Sequence, residues 1–260
     1  MGKGLRNLSQ SSSGILEWIM VRFVKSHLFV GVSGFSYPSW KGKFYPKDLK
    51  SEAFLEFYSQ KLNSVEINSS FYAPPSSTMV SSWQNKSGEG FRFSFKAPRQ
   101  ITHISKLGDG SVEPTLRLGK TLNLLGAKLG PVLFQLPPFS KQDLKVLETF
   151  LQETSTVKNR VFEFRHESWL NESTYQLLEK YGAGFCIAET EDMNPVLRVT
   201  SSTPYFRLRK DSYDKKTISD WAGKIDDTIK GSKEAYVYLR HDETGENASL
   251  ALHLMEKISQ

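Results

Sequence analysis

Eight short apolar runs, spaced along the chain from residue 27, constrain this fold more than any other feature. They read HLFVGVSG (27–34), SVEINSSF (64–71), FRFSFKAP (91–98), PVLFQLPP (131–138), VFEFRH (161–166), AGFCIAET (183–190), PYFRLRK (204–210) and AYVYLRH (235–241). Each is rich in β-branched or aromatic residues, the composition of a strand. Helical spacing fills the intervals. Phe54, Leu55, Tyr58 and Leu62 share a face, as do Leu122, Leu125 and Leu129. Leu144, Leu147, Phe150 and Leu151 follow Ser140, a candidate cap, and a helix from Ser168 to Tyr181 should stop at Gly182. Ile218, Trp221, Ile225 and Ile229 repeat at three to four residues, as do Leu250, Leu254 and Ile258. Only TEDMNPVLRVTSST, after the sixth run, lacks a helical pattern.

Eight strands alternating with about seven helices is the pattern of an α/β fold of one kind, a single (β/α)8 TIM-type barrel. An open doubly wound sheet is the alternative. It usually has fewer strands, and GVSGFS lacks the G-x-G-x-x-G spacing expected after its first strand. With no internal repeat and no linker, the domain reading is a barrel over 27–260 behind an extension over 1–26.

The barrel gives the polar residues a direction. Outer strand faces pack on helices and must be apolar. Phe162 and Phe164 therefore face out, and Glu163 and Arg165 point in. The same parity groups Glu66, Asn68 and Ser70 on the second strand and Arg92, Ser94 and Lys96 on the third. It sends Gln135 inward on the fourth, and Arg207 and Arg209 on the seventh. Barrel sites form at the C-terminal strand ends. Glu66, Asn68, Lys96, Gln135, Glu163, Arg165 and Arg207 lie late enough to approach them. His103, His166, His241 and Asp242 fall at or just past strand ends.

Buried ions must pair. One reading is thus a closed structural network of Glu66 and Glu163 with Lys96, Arg165 and Arg207. The other is a ligand site, because barrel interiors are more stably filled by Val, Ile and Leu. Two acids against three bases leave about one positive charge for an anionic, phosphate- or carboxylate-bearing ligand. In that reading Glu66 or Glu163 is the general acid/base, and His103 or His166 shuttles a proton. Lys96, Arg165 and Arg207 hold the anion, with Asn68 and Gln135 beside them. Tyr37, Trp40, Tyr72 and Trp169 follow strand ends, where rings either stack on a ligand or pack the loops. A hydrolase of phosphoester or glycosidic bonds, or an isomerase, is the enzyme alternative. A nucleotide- or nucleic-acid-binding module without catalysis is the other.

No metal or cofactor is expected. Glu66, Glu163, His166 and His241 form a conceivable ligand set, but Lys96, Arg165 and Arg207 would repel a divalent cation. Cys186, the one cysteine, sits mid-strand and reads as a core residue rather than a nucleophile. It also rules out an intramolecular disulfide, which suits a reducing compartment, and the expected location is the cytoplasm.

The net charge of +6 is concentrated at the start. Residues 1–27 hold Lys3, Arg6, Arg22 and Lys25 against Glu17, which is +3. The remainder is mildly basic, so wholesale nucleic-acid binding gains little support. The apolar stretch ILEWIMVRFV is too short and too interrupted to span a bilayer. The extension reads as flexible. A start at Met20 and an organellar targeting role are both compatible with its composition. Oligomeric state is not legible.

GVSGFSYPSWKGKFYP, VEINSSFYAPP, FRFSFKAPRQITH, LFQLPP and FEFRHESW occur in the order seen in the YecE-like family, domain of unknown function 72. YFRLRK and YVYLRHDETGENAS resemble that family's last two motifs. The resemblance implies a TIM-type barrel and no particular reaction. It implies characteristic positions at Gly34, Trp40, Glu66, Asn68, Phe71, Tyr72, Lys96, Thr102, His103, Gln135, Glu163, Arg165, His166 and Trp169. Two departures stand at strand ends. Arg209-Lys210 replaces a frequent His-Gly pair, and Arg240 and His241 replace paired asparagines.

Overall fold

The computed structural model describes residues 27–258. The extension over 1–26 therefore lies outside the described residues. Eight parallel strands form a nearly closed barrel: β1 (Leu28–Val32), β2 (Ser64–Ile67), β3 (Arg92–Lys96), β4 (Leu129–Gln135), β5 (Arg160–Glu163), β6 (Gly184–Glu189), β7 (Tyr205–Leu208) and β8 (Ala235–Leu239). Among the described residues seven α-helices lie between and after them. They are α1 (Phe54–Lys61), α2 (Ser77–Lys86), α3 (Val112–Leu122), α4 (Leu144–Glu153), α5 (Glu172–Lys180), α6 (Lys215–Thr228) and α7 (Glu246–Ile258). No helix among the described residues is long and apolar enough to cross a membrane.

Three helix boundaries differ from the sequence reading; one is the start of α5, which lies at Glu172 rather than Ser168, with Asn171 as its cap accepting from Thr174 N at 3.2 Å. Asp143, not Ser140, caps α4, accepting from Val146 N at 3.0 Å. The Ser140 carbonyl is committed to the Trp169 indole instead, at 2.8 Å. The stripe of Leu122, Leu125 and Leu129 does not remain helical. Gly126 turns the chain with a φ of 56°, and Leu129 opens β4. The Gly182 stop is observed: its φ is 60°, and Ala183 N donates back to Leu178 O at 2.9 Å. Between β6 and β7 no helix forms. Arg198 instead ties that segment to α5, pairing with Glu172 at 3.3 Å and Glu179 at 3.0 Å.

The seam between β1 and β2 is where the barrel is least closed. Backbone pairing there is reduced to the Ser33–Glu66 bridge, with Gly34 N donating to Glu66 O at 2.8 Å. Side chains complete it. Asn63 accepts from Val30 N at 2.7 Å and donates to Leu28 O at 2.8 Å. Tyr58 OH accepts from Val32 N and donates to Ser64 O, each at 3.0 Å. Gly31 is required at this seam, because a Cβ there would lie 1.9 Å from Ser64 O. We expect Asn63→Ala to cost about 1–3 kcal/mol, the effect of leaving backbone groups unpaired. Urea unfolding checks this; an unchanged midpoint would mean water closes the seam equally well.

The outward parity builds the main core. Phe162 and Phe164 join Phe134, Phe150 and Phe185 between strands and helices. The inward parity builds a smaller cluster of Phe29, Leu133, Val161, Cys186, Ala188, Tyr205, Tyr236 and Tyr238 along the axis. Its floor is partly polar. Arg92 lies 4.7 Å over the Phe29 ring and 3.4 Å from Glu234, which also accepts from Tyr236 OH at 2.6 Å. One layer up, Tyr238 OH bonds the hydroxyls of Ser64 at 2.5 Å and Ser94 at 2.8 Å. The apolar layer ends there, and charged residues stand above it.

Candidate functional site

Three strands deliver the central ions. Glu66 comes from β2, Glu163 from the last position of β5 and Arg207 from β7, and all three are buried. Arg207 grips Glu66 with two donors, Nε to Oε2 at 2.9 Å and Nη2 to Oε1 at 2.8 Å. Its Nη1 donates to Glu163 Oε2 at 2.6 Å. Ser33 and Tyr205 complete Glu66, donating at 2.9 Å and 2.7 Å. Arg165 pairs with the other Glu163 oxygen.

These contacts set the protonation states. Burial alone would raise the Glu66 carboxyl, but Arg207 outweighs it and holds the group at about 2. Glu163 faces the same burial, and Arg207 and Arg165 hold it below its ordinary value. Neither carboxyl is therefore a proton donor near neutral pH. The sequence reading of Glu66 or Glu163 as a general acid does not fit this geometry, since such an acid needs a raised pKa.

Above this triad stand three more cations. Arg165 is described above. Arg209 follows β7 and donates to Ser33 Oγ at 2.6 Å. Burial, then the Arg207 charge, pull Arg209 down to about 10. Lys96 ends β3 and has no carboxylate at ion-pair distance among the described residues; its ammonium lies 4.2 Å over the Phe71 ring. Burial, then Arg207, lower Lys96 to about 8. Two carboxylates thus face four cations, Lys96, Arg165, Arg207 and Arg209, one more than the three bases in the sequence reading, where Arg209 points inward but stands outside the ion count. Arg209 shares the parity of Arg207, and that spacing was the signal for it.

The remaining expected residues divide. Asn68 follows β2, and its buried Oδ1 has no hydrogen-bond partner among the described residues, like Arg165 Nε. Gln135 ends β4 beside Glu163 in the strand register. His103 lies on a π-helical turn, Gln100–Ile104, a geometry frequent at functional sites. Its Nδ1 lies 2.9 Å from Thr102 Oγ1, and its ring meets Phe71 edge-on at 4.8 Å. Burial, then Lys96 and Arg99, lower its pKa. Tyr37 donates to Ser33 O at 2.9 Å and stacks on His241 at 5.0 Å. Tyr72 is 84% exposed on the rim, its ring edge-on to Phe71.

Four of them are committed to structure. Trp40 is 0% exposed, and its indole donates to Asp242 O at 2.8 Å. Trp169 is buried against Phe164 at 4.4 Å. Both rings belong to the wall rather than to the mouth. His166 Nδ1 accepts from Ser168 N at 3.2 Å, capping a one-turn helix. Asp242 is similarly a cap, accepting from the amides of Thr244, Gly245, Glu246 and Asn247. Sequence reasoning passed over Glu189, which is buried and accepts from Tyr213 OH at 2.9 Å and Trp221 Nε1 at 3.1 Å. It anchors α6 to the end of β6. A cavity of about 300 Å³ lies among the loops that follow β3, β4 and β5, between 105–108, 139–147 and Trp169, and its lining includes none of the six ions above. No cluster of three metal-ligating side chains occurs among the described residues.

A parallel eight-stranded barrel whose ions gather at the C-terminal strand ends is a TIM-type barrel with its candidate site at the mouth. The chain belongs to the DUF72 family, described as "Protein of unknown function DUF72", whose profile matches residues 29–260. It is 29% identical over 140 residues to the UPF0759 protein YecE of Escherichia coli K12, covering 54% of this chain and 48% of that one. It is 26% identical over 157 residues to the UPF0759 protein YunF of Bacillus subtilis, covering 57% and 54%. The chain thus spans about half the length of the curated relatives it matches. The crystal structure of a DUF72 family protein from Thermotoga maritima superposes with a TM-score of 0.75 at 25% identity, over 90% of this chain and 100% of that one.

Proposed function

We propose that the barrel mouth binds a small anion bearing a phosphate or carboxylate, through Lys96, Arg165 and Arg209. Arg207 serves as the counter-ion of the two glutamates. One observation carries this reading: Lys96 stands half-buried near Arg207 and Arg209, and no carboxylate among the described residues lies at ion-pair distance from it. Such a cation is costly without a partner, and an anionic ligand supplies one. Asn68 Oδ1 and Arg165 Nε add a buried acceptor and a buried donor that a ligand would satisfy. Acid/base hydrolysis by the glutamates is less well supported, because both are held ionised. A chain whose one cysteine is a buried free thiol suits a reducing compartment such as the cytoplasm.

Calorimetric titration of the parent with inorganic phosphate, and with oxalate, should give one saturable site. Arg209→Met should weaken it about tenfold or more, the usual worth of a charged hydrogen bond. The same change removes a like charge beside Arg207, so stability should hold or rise. No saturable binding of either anion rejects the reading, as does an Arg209→Met variant that loses stability but not affinity. Binding of single-stranded DNA that falls steeply with salt and ignores phosphate would favour a nucleic-acid module instead.

A further inference from the structure

We propose that the Lys96 ε-amine is a nucleophile that forms an imine with the carbonyl carbon of a small anionic aldehyde or ketone. This rests on the anion-binding reading of the same mouth and adds a reaction to it.

The argument starts from what Lys96 touches. Its ammonium lies over the Phe71 ring, and the chamber's two carboxylates are occupied by Arg207 and Arg165. Its backbone is fixed. Lys96 O accepts from Ser70 Oγ at 2.7 Å, and Ala97 N donates to Leu133 O at 2.8 Å. The amine therefore projects from a rigid strand end rather than from a mobile loop. The charged groups acting on it are Arg207 in the seventh strand, Arg209 just after it, Glu163 in the fifth and Glu66 in the second. For packing on Phe71 alone, a methionine would serve without placing a charge near two guanidiniums. Desolvation and a neighbouring cation are the two ways an amine is made nucleophilic. With its pKa lowered to about 8, roughly one-tenth of Lys96 is neutral at pH 7. An ordinary surface lysine is neutral well under one-thousandth of the time by the same relation.

The step balances without an oxidant or reductant. The nitrogen lone pair attacks the carbonyl carbon, and the C=O π pair moves to oxygen, which takes a proton. The nitrogen gives up one proton to leave a neutral carbinolamine. A second proton then joins the hydroxyl as the carbon–oxygen bond breaks, the nitrogen lone pair forms the C=N bond, and the nitrogen gives up its other proton. One amine and one carbonyl become one imine and one water. His103 packs on the same Phe71 ring and has Nδ1 turned to Thr102. Its Nε2 is the nitrogen left to carry these protons. Arg165 and Arg209 hold the ligand's anionic group.

Pyridoxal phosphate is a suitable probe, because it joins an aldehyde to a phosphate. Full-length protein at pH 7 should develop imine absorbance, and borohydride should fix one adduct per chain. Peptide mapping should find it on Lys96, formed at least tenfold faster than at any other lysine, and inorganic phosphate should compete. Glyoxylate with cyanoborohydride should mark the same residue. Lys96→Arg should form no preferred adduct, because a guanidinium has no free amine to attack the aldehyde. If phosphate binds saturably but adducts spread over other lysines, the imine proposal is overturned and the anion site stands. If phosphate does not bind and Lys96 is not preferred, both fail. If Lys96 is preferred although phosphate neither binds nor competes, the nucleophile stands and the anion reading fails.

Discussion

Replacing Arg207 by methionine should destabilise the barrel by about 3–5 kcal/mol or more at pH 7, the range for removing one partner of a buried ion pair. The upper end is expected because Glu66 loses its ion-pair partner and Glu163 keeps only Arg165. Glu66 loses two charged hydrogen bonds and Glu163 loses one. Both are buried, and water has no ready route to replace the guanidinium. The deficit should depend on pH with a definite sign. Without Arg207, burial is the largest influence left on Glu66, and its folded-state pKa rises above its unfolded value, while Arg165 still opposes burial at Glu163. A group shifted upward contributes stability below its unfolded pKa and loses it as pH rises. The variant should therefore lie nearest the parent at about pH 4 and furthest from it at neutral pH. Combining Arg207→Met with Glu66→Gln and Glu163→Gln should recover much of the loss, since it removes the stranded charges. Urea unfolding across pH 4–8 measures all of this. A single variant within about 1 kcal/mol of the parent at pH 7 would show that the triad is solvated, contrary to its burial.

Strand parity carried most of what was legible. Phe162 and Phe164 had to face helices, so Glu163 and Arg165 had to face the axis, and both do. Parity does not say which ions meet across a barrel. That depends on the height of each residue along the axis and on the stagger between strands. Arg207 thus read as an anion-binding residue, whereas it lies at the height of Glu66 and Glu163 and is consumed by them. Arg209, two residues higher, is left facing the mouth. Trp40 and Trp169 were misleading for another reason. Loop residues have no periodicity to mark burial, and an aromatic ring fits a wall as well as a ligand. Their indole N–H groups found backbone carbonyls of distant loops, at Asp242 and Ser140, pairings no local pattern encodes. Asn63 and Tyr58, which complete the β1–β2 seam, were equally illegible. Their role exists only because the two strands diverge there.

Acid should weaken the parent protein between about pH 5 and pH 2, and Glu66→Gln should flatten that decline. The Glu66 carboxyl is held at about 2 in the fold, against an ordinary 4.5. A depressed folded-state pKa contributes stability that is complete above the unfolded value and disappears as pH falls through the folded one. At about 1.36 kcal/mol for each pKa unit, the contribution is about 3 kcal/mol. Glu163 is lowered as well and acts in the same direction. At pH 7 Glu66→Gln should lose a similar amount, because Arg207 keeps only Glu163 and the neutral amide accepts its hydrogen bonds less strongly. Near pH 2 the two proteins should converge, since the parent has then lost the same charge by protonation. Tyr205 and Ser33 can still donate to the amide oxygen, so the variant should fold and the comparison is measurable. If the parent instead keeps its stability down to pH 3, Glu66 is not titrating in the fold as an ion-pair partner. A carboxyl that stayed protonated at neutral pH beside Tyr205 would be free to donate, and the general-acid role excluded above would return to Glu66.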